Sequence, residues 1–338
     1  MLTPGLRVAD HYTLERSLGE GAMGEVWAAR HVQLDHRVAI KFATDTPSDE
    51  DARETFLREA RLAAAVRHRH VVRVIDVGTD SEVPYLVMEF LEGDTLADRM
   101  DFGALPPRLA AQIAIQILGA LEACHREGVI HRDLKPENVF LSPEDSFVTL
   151  VDFGIAKAAA SSGRQSAVPT REGAVFGTPE YMAPEQARGD DLDHRADVFA
   201  AGVLFYEMLA GRRPFEGNTS FQVLLGVLQG EFTPLETLRP DLPELAAVIH
   251  KAMAPDPASR FGSAAEMRDA IRTVVRESSA PPPPPAPVTR PRSWMAATFV
   301  GAMLIFGAVA MGAKAGGVER ATDGSPVPER VEADFLVL

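Results

Sequence analysis

The stretch His131-Arg132-Asp133-Leu134-Lys135-Pro136-Glu137-Asn138, HRDLKPEN, crowds charged and amide side chains beside an imidazole, directly after the apolar pair Val129-Ile130. A solvated loop could carry such a run by accident. A site that must accept a proton, steady a phosphate and hold a metal requires one, and the rest of the chain decides between these readings.

Fourteen residues beyond Asn138 stands Asp152, at the end of the strand-like pattern VTLVDFG. Asn138 and Asp152 are hard oxygen donors, the ligand type Mg²⁺ prefers when it also holds phosphates. Asp133 then remains to receive the proton of a substrate hydroxyl, and Lys135 to neutralise charge on a moving phosphoryl group.

Upstream, Leu18-Gly19-Glu20-Gly21-Ala22-Met23-Gly24 sets three glycines between strand-like segments, with Val26 just beyond. Glycine lets backbone amides approach polyphosphate oxygens closely. A dinucleotide-binding turn needs a helix after the glycines, yet EVWAARHV alternates like a strand, which points to a flap over nucleotide phosphates. Next, Val38-Ala39-Ile40-Lys41 puts one ammonium group on an apolar strand. A lysine aimed at phosphates needs an anionic partner to fix its flexible stem. Glu59, deep in the apolar part of the helix pattern FLREARLAA, is the first candidate, and Glu54 the second.

The order GxGxxGxV, VAIK, HRDLKPEN, DFG and APE is specific where each motif alone is weak. Over residues 12–275 the sequence resembles the Hanks-type, eukaryotic-like protein kinases, in their bacterial serine/threonine branch. The resemblance implies an α+β, bilobal kinase fold with a small β-rich N-lobe and a large helical C-lobe. It implies ATP and Mg²⁺ (with Mn²⁺ as an alternative) as cofactors, and proteins bearing Ser or Thr as substrates.

Residue by residue, the resemblance makes Asp133 the catalytic base and Lys41 the α/β-phosphate contact paired with Glu59. Asn138 and Asp152 become the metal ligands. Met88 falls at the gatekeeper position, the backbone of Glu89 and Leu91 would bond adenine, and Val26, Ala39 and Phe140 would sandwich the ring. Lys135 suits the serine/threonine class. In GTPEYMAPE, Thr178 would bond Asp133 and Lys135, while Glu185 would form a buried ion pair with Arg260 and Asp197 would hold the catalytic-loop backbone. Arg132 before the base goes with activation-loop phosphorylation, expected at Thr170 and secondarily at Ser166, with Lys157 joining Arg132 at the phosphate. Two positions depart from the family pattern: His68-Arg69-His70 replaces a His-Pro-Asn, and Ala63 stands where a larger apolar residue is common. The helix carrying Glu59 is therefore expected to settle with a partner or on dimerisation. A scaffold without catalysis would lack one of Lys41, Asp133, Asn138 or Asp152, and all four are present.

Bulk properties agree. At 338 residues the chain has room for two domains or one bilobed one, and its net charge of −14 argues against nucleic-acid binding. The single cysteine, Cys124, excludes an internal disulfide and reads as a core residue. The N-terminus shows no charged-then-apolar secretory pattern, so the part before residue 280 is expected in the cytoplasm.

Strand patterns run through YTLERSLGE, GEVWAARHV, RVAIKFA and PYLVMEFL, around the helix pattern SDEDARETFLREARLAAAV with Ser48 or Asp49 as N-cap. From Pro106 onward five helix patterns follow, so a cleft between lobes is expected. Residues 276–293 form a proline-rich linker. Residues 294–312 carry no charge, and at ~1.5 Å per residue they span roughly 28 Å, enough for one transmembrane helix. The tail, residues 313–338, is then expected outside. Ala297 with Gly301, and Ala308 with Gly312, are small residues at helical spacing that would favour a homodimer suited to phosphorylation in trans.

Overall fold

A computed structural model describes residues 2–21, 24–43, 50–80, 83–143, 147–152 and 179–278. The chain divides into two units, Met1–Pro281 and Pro282–Leu338, and the described residues all fall in the first. The linker after residue 278, the span 294–312, the tail, and Ala22, Met23, Ser48, Asp49, Lys157, Ser166, Thr170 and Thr178 lie outside the described residues.

The N-lobe is built on alternation. Strands β1 (Arg7–Val8), β2 (Tyr12–Gly21), β3 (Gly24–His31), β4 (Arg37–Phe42), β5 (Val74–Asp80) and β6 (Val83–Glu89) form one antiparallel sheet in the order β1-β2-β3-β4-β6-β5. Val26 pairs with Lys41, Ala39 with Met88 and Lys41 with Leu86, so these side chains share one face. The other face buries Trp27, Val38, Ile40, Phe42, Tyr85 and Val87 in a separate core. Helix α1 (Glu50–Ala65) covers the first face with Phe56, Ala60 and Ala63, all nearly inaccessible.

β5 is absent from the sequence reading. Its VIDVGTD carries Asp and Gly, which dilute the strand signal, and pairing to β6 at the sheet edge supplies what propensity does not.

The C-lobe is helical. A short strand β7 (Asp94–Thr95) leads into α2 (Leu96–Met100), capped by the reciprocal Thr95–Asp98 box. Helix α3 (Pro107–Arg126) follows, starting on a proline and buried along Ala110, Ile113, Ile117, Leu121 and Cys124. Strands β8 (Val139–Leu141) and β9 (Val148–Leu150) join β7 in a second small sheet. Then come α4 (Pro184–Arg188), α5 (Arg195–Ala210), α6 (Ser220–Gln229), α7 (Leu235–Leu238), α8 (Pro243–Ala252) and α9 (Ala264–Ser278).

Helix α5 is apolar all round, as a helix surrounded by protein must be, and only Glu207 and Ala210 of its last turn and a half are not fully buried past Arg195. At Gly202 a Cβ would stand 2.8 Å from the Ala252 Cβ, so α8 closes on α5 only because that carbon is missing.

The joint between α1 and the C-lobe is fastened by the same two residues that depart from the family pattern, Arg69 and His70. His70 Nδ1–H donates to the Val148 carbonyl at 2.8 Å, and the Arg69 guanidinium lies 4.8 Å from the centre of the Phe147 ring. Backbone bonds from Leu150 to His70 and from Val72 to Leu150, each 2.9 Å, stitch this joint to β9.

Candidate active site

The catalytic loop follows α3 and turns where Arg132 takes a left-handed φ of 63°. A non-glycine residue holds that conformation only when its surroundings impose it. Here Asp197, 1% exposed at the start of α5, accepts from the backbone N–H of His131 at 2.8 Å and of Arg132 at 3.0 Å. The Arg132 carbonyl in turn accepts from Gln186 Nε2 at 3.0 Å.

His125, near the end of α3, completes the support. Its Nε2–H donates to Asp197 Oδ2 at 2.8 Å. Burial alone would push the Asp197 carboxyl up, yet the His125 bond and the His131 N–H outweigh burial and hold it below the usual carboxylate range. Burial and the charge of Asp197 push the neighbouring Cys124 thiol up to about 12, which fits a core residue and not a nucleophile. Sequence reasoning missed His125. Its only signal was a histidine in the last turn of a helix, where complementing the dipole is explanation enough.

Held this way, Asp133 is 7% exposed, with Lys135 Nζ 3.3 Å from its Oδ2. Asn138, 5% exposed in the turn Pro136–Asn138, donates through Nδ2 to the Asp133 carbonyl at 2.8 Å and to Asp133 Oδ2 at 3.3 Å. That use of the amide nitrogen leaves the Asn138 side-chain carbonyl as its ligating atom. Its backbone carbonyl accepts from Val151 at 3.0 Å, which ties the loop to the segment bearing Asp152. An amide oxygen and the Asp152 carboxylate are the donor set a hard divalent cation takes, so these residues fit Mg²⁺.

Lys41 is 7% exposed on β4, and its ammonium group pairs with Asp152, which sits at a left-handed φ of 57°. The expected Lys41–Glu59 pair is not formed: among the described residues Glu59 pairs with its neighbour Arg58 at 3.5 Å. The reason is placement. Lys41 is fixed by strands on both sides, whereas Glu59 rides on α1 and takes the nearest cation that the helix position allows. Glu54 takes no ion pair with Lys41 either.

The adenine expectations fall together in part. Val26, Ala39 and Met88 share the sheet face of Lys41. Phe140, half-buried on β8, lines a cavity of ≈350 Å³ with Glu89 and Leu91 of the connector between lobes. The Glu89 N–H is already spent on the Arg73 carbonyl at 3.0 Å, and its carboxylate accepts from Arg73 N–H at 2.8 Å. In the glycine turn, Gly19 faces Val26 and Gly21 faces Gly24, while Leu18 is exposed at a bulge. Gly24 has φ 138°, and a Cβ there would lie 2.0 Å from the Phe42 carbonyl oxygen, so the position admits glycine alone.

The supporting ion pair is formed as expected. Arg260 grips Glu185 with both guanidinium nitrogens at 2.6 and 2.7 Å, donates further to the carbonyls of Ala254, Arg195 and Pro255, and stacks on Phe199. Both charges are buried and every donor is used, the condition under which such a pair is tolerated.

A two-lobed fold with a lysine on the sheet, and an Asp-Lys-Asn loop facing an Asp at the start of the next segment, is the architecture of a phosphotransferase that works on nucleotide phosphates. The sequence matches the protein kinase domain family over residues 12–271, and the chain belongs to that family. It is 42% identical over 271 residues to a probable serine/threonine-protein kinase, CE0033, of Corynebacterium efficiens, covering 77% of this chain and 40% of that one. It is 40% identical over 289 residues to the serine/threonine-protein kinase PknB of Mycolicibacterium smegmatis, covering 83% of this chain and 45% of that one. The chain therefore spans less than half the length of these relatives. The crystal structure of the Mycobacterium tuberculosis PknI kinase domain is also similar, with 31% identity and a TM-score of 0.65, covering 82% of this chain and 100% of that one.

Proposed function

We propose that this chain is an ATP-dependent serine/threonine protein kinase, moving the γ-phosphoryl group of ATP to Ser or Thr hydroxyls of proteins. The observation that carries the reading is the Asp133–Lys135–Asn138 cluster, held in one loop by the buried carboxylate of Asp197. Asp133 orients the acceptor hydroxyl and takes its proton, while Lys135 steadies charge on the phosphoryl oxygens. Lys41 reaches the nucleotide phosphates from the sheet, and the glycine turn offers backbone amides to them. Asn138 and Asp152 would hold Mg²⁺ (or Mn²⁺), which when bound neutralises and aligns the phosphate oxygens.

Incubation with labelled ATP and a Ser/Thr-rich acceptor protein tests this. Wild type transfers label, and Asp133→Asn and Lys41→Ala lose it; undiminished transfer by Asp133→Asn would sink the assignment.

Control by autophosphorylation at Thr170, with Ser166 second, belongs to the same proposal. Its support is that Arg132 Nε is buried with no hydrogen-bond partner among the described residues, a donor suited to a phosphate. Mass spectrometry of active protein that finds Thr170 and Ser166 always unmodified removes it.

Residues 294–312 are proposed as a single membrane span, with the catalytic lobes on the cytoplasmic, ATP-containing side and residues 313–338 outside. The support is the uncharged run itself. Among the described residues no helix is long and apolar enough to cross a membrane. Full-length protein recovered in the soluble fraction of lysed cells overturns the anchor. Replacing the span by polyleucine without slowing autophosphorylation overturns the homodimer.

A further inference from the structure

Beside the catalytic loop, a group of acids is held by one arginine. Tyr181 lines the small recess that also contains Asp133 and Lys135, and it is 4% exposed. Its hydroxyl donates to Glu207 Oε2 at the end of α5. Arg213 enters the same group: Nη1 stands 3.0 Å from Glu180 Oε1, Nε stands 3.5 Å from Glu207 Oε1, and the guanidinium carbon is 5.8 Å from the Tyr181 ring centre.

The acids outnumber the cation. The second carboxylate oxygen of Glu180 is buried without a hydrogen-bond partner among the described residues. Burial pushes the Glu207 carboxyl above its usual range, and Glu137, exposed on the catalytic loop, adds its charge to that effect. Glu180 and Glu207 thus meet at Arg213 behind Tyr181, the residue that joins them to the recess of Asp133, with the charge of Glu137 acting from the catalytic loop. In a chain with net charge −14, such a group of acids beside the recess would draw a lysine or arginine of an incoming peptide. Arg213 already engages two of these acids.

Stability gives little reason for this arrangement, because the Arg213 side chain is 40% exposed and pairs at that exposure stabilise weakly. Its neighbour Arg212 turns away to Glu216 at 2.6 Å and, among the described residues, leaves Glu180 and Glu207 to Arg213.

We propose that Arg213 is a specificity residue: as the built-in counter-ion of Glu180 and Glu207, it turns away peptides with Lys or Arg close to the acceptor and leaves neutral or acidic sequences as substrates. The inference rests on the phosphotransfer reading, with Asp133 facing the acceptor hydroxyl. Occupancy by an internal cation is selection by exclusion: a peptide cation must displace a guanidinium already engaged on two carboxylates.

The test uses the full chain with Mg²⁺ and ATP and a set of synthetic serine peptides. Each carries a single Arg, or a matched Gln, at one position from four before the acceptor to three after it. For wild type, the Arg-to-Gln ratio of kcat/KM is expected at or below unity at every position. Arg213→Ala raises that ratio by roughly ten-fold at one or more positions, through KM. Arg213→Lys restores the wild-type pattern, and Arg212→Ala leaves it unchanged. Adding Glu207→Gln to Arg213→Ala removes the gain. The proposal is overturned if wild type already favours Arg, or if Arg213→Ala changes Arg and Gln peptides equally. No turnover of any peptide by wild type strikes the phosphotransfer reading and this inference with it, whereas turnover with an unaltered ratio strikes this inference only.

Discussion

The two sides of the cleft are built to different standards of fixity. On the C-lobe side, Asp133 stands on a loop whose backbone is bonded to a fully buried carboxylate, itself bonded to His125. On the N-lobe side, Lys41 is fixed in place but not in partner: it meets Asp152, while Glu59 is taken by Arg58, whose side chain is 68% exposed. Changing the first side means stripping hydrogen bonds from a buried charge, which costs several kcal/mol. Changing the second means exchanging one partly solvated ion pair for another, which costs about 1 kcal/mol or less. The Asp133 side is thus built in, and the Lys41 side is open to adjustment by anything that moves α1.

Experiments can break or sharpen this contrast. Asp133→Asn should lower the rate of phosphoryl transfer by about 10²- to 10⁴-fold with little change in melting temperature, as measured by initial rates beside thermal unfolding. Arg260→Ala strands the Glu185 carboxylate in the C-lobe and should cost about 3–5 kcal/mol of stability, read from denaturant titration. His125→Ala removes one charge-assisted bond to Asp197. A loss of about 1.5–3 kcal/mol is expected, together with a fall in kcat larger than any change in KM for ATP. If its kcat stays at the wild-type value, the loop does not depend on that support and the contrast weakens.

A pH series probes the joint between the lobes. Burial holds His68 and His70 below the ordinary value of 6.5, so the unfolded chain binds more protons than the folded one. Their contribution is full above that value and is lost as pH falls toward the folded-state values. The groups facing them set the background: Glu122 favours the protonated form of His68, while Arg69 and Arg126 oppose it. Melting temperature should drop between about pH 7 and about pH 5, and the drop should shrink in the His68→Gln, His70→Gln double variant. The smallest effect is expected from Arg58→Ala, which releases Glu59. Activity should rise by about two-fold or less, and a fall would show that Arg58 does more than hold Glu59 away.

How much of this was legible beforehand follows the same division. HRDLKPEN, DFG and the glycine turn carry their chemistry in short range, and β3, β4 and β6 were legible as strands, but Val26, Ala39 and Met88 were placed only through the family resemblance, and it is the sheet register that sets them on the face of Lys41. The Glu185–Arg260 pair was legible only through the family resemblance, since 75 residues separate the partners and no local pattern joins them. The partner of Lys41 was not legible, because it depends on how far a whole helix stands from a sheet. His125 and Arg213 were missed for a related reason. Each looks like an ordinary cation near the end of a helix until α5 brings Asp197 to the one and Glu207 to the other.

The place of Lys41 on β4 has a consequence for how such a chain can change. That strand is interior, laddered to β3 on one side and β6 on the other, with opposite side chains committed to two separate apolar layers. Sliding it by a single residue would drive the ammonium group into the layer of Trp27 and Tyr85 and swing Phe42 out over the cleft. Insertions and deletions within this strand are therefore closed to evolution, while the hairpin ends of the same sheet can vary in length without moving Lys41.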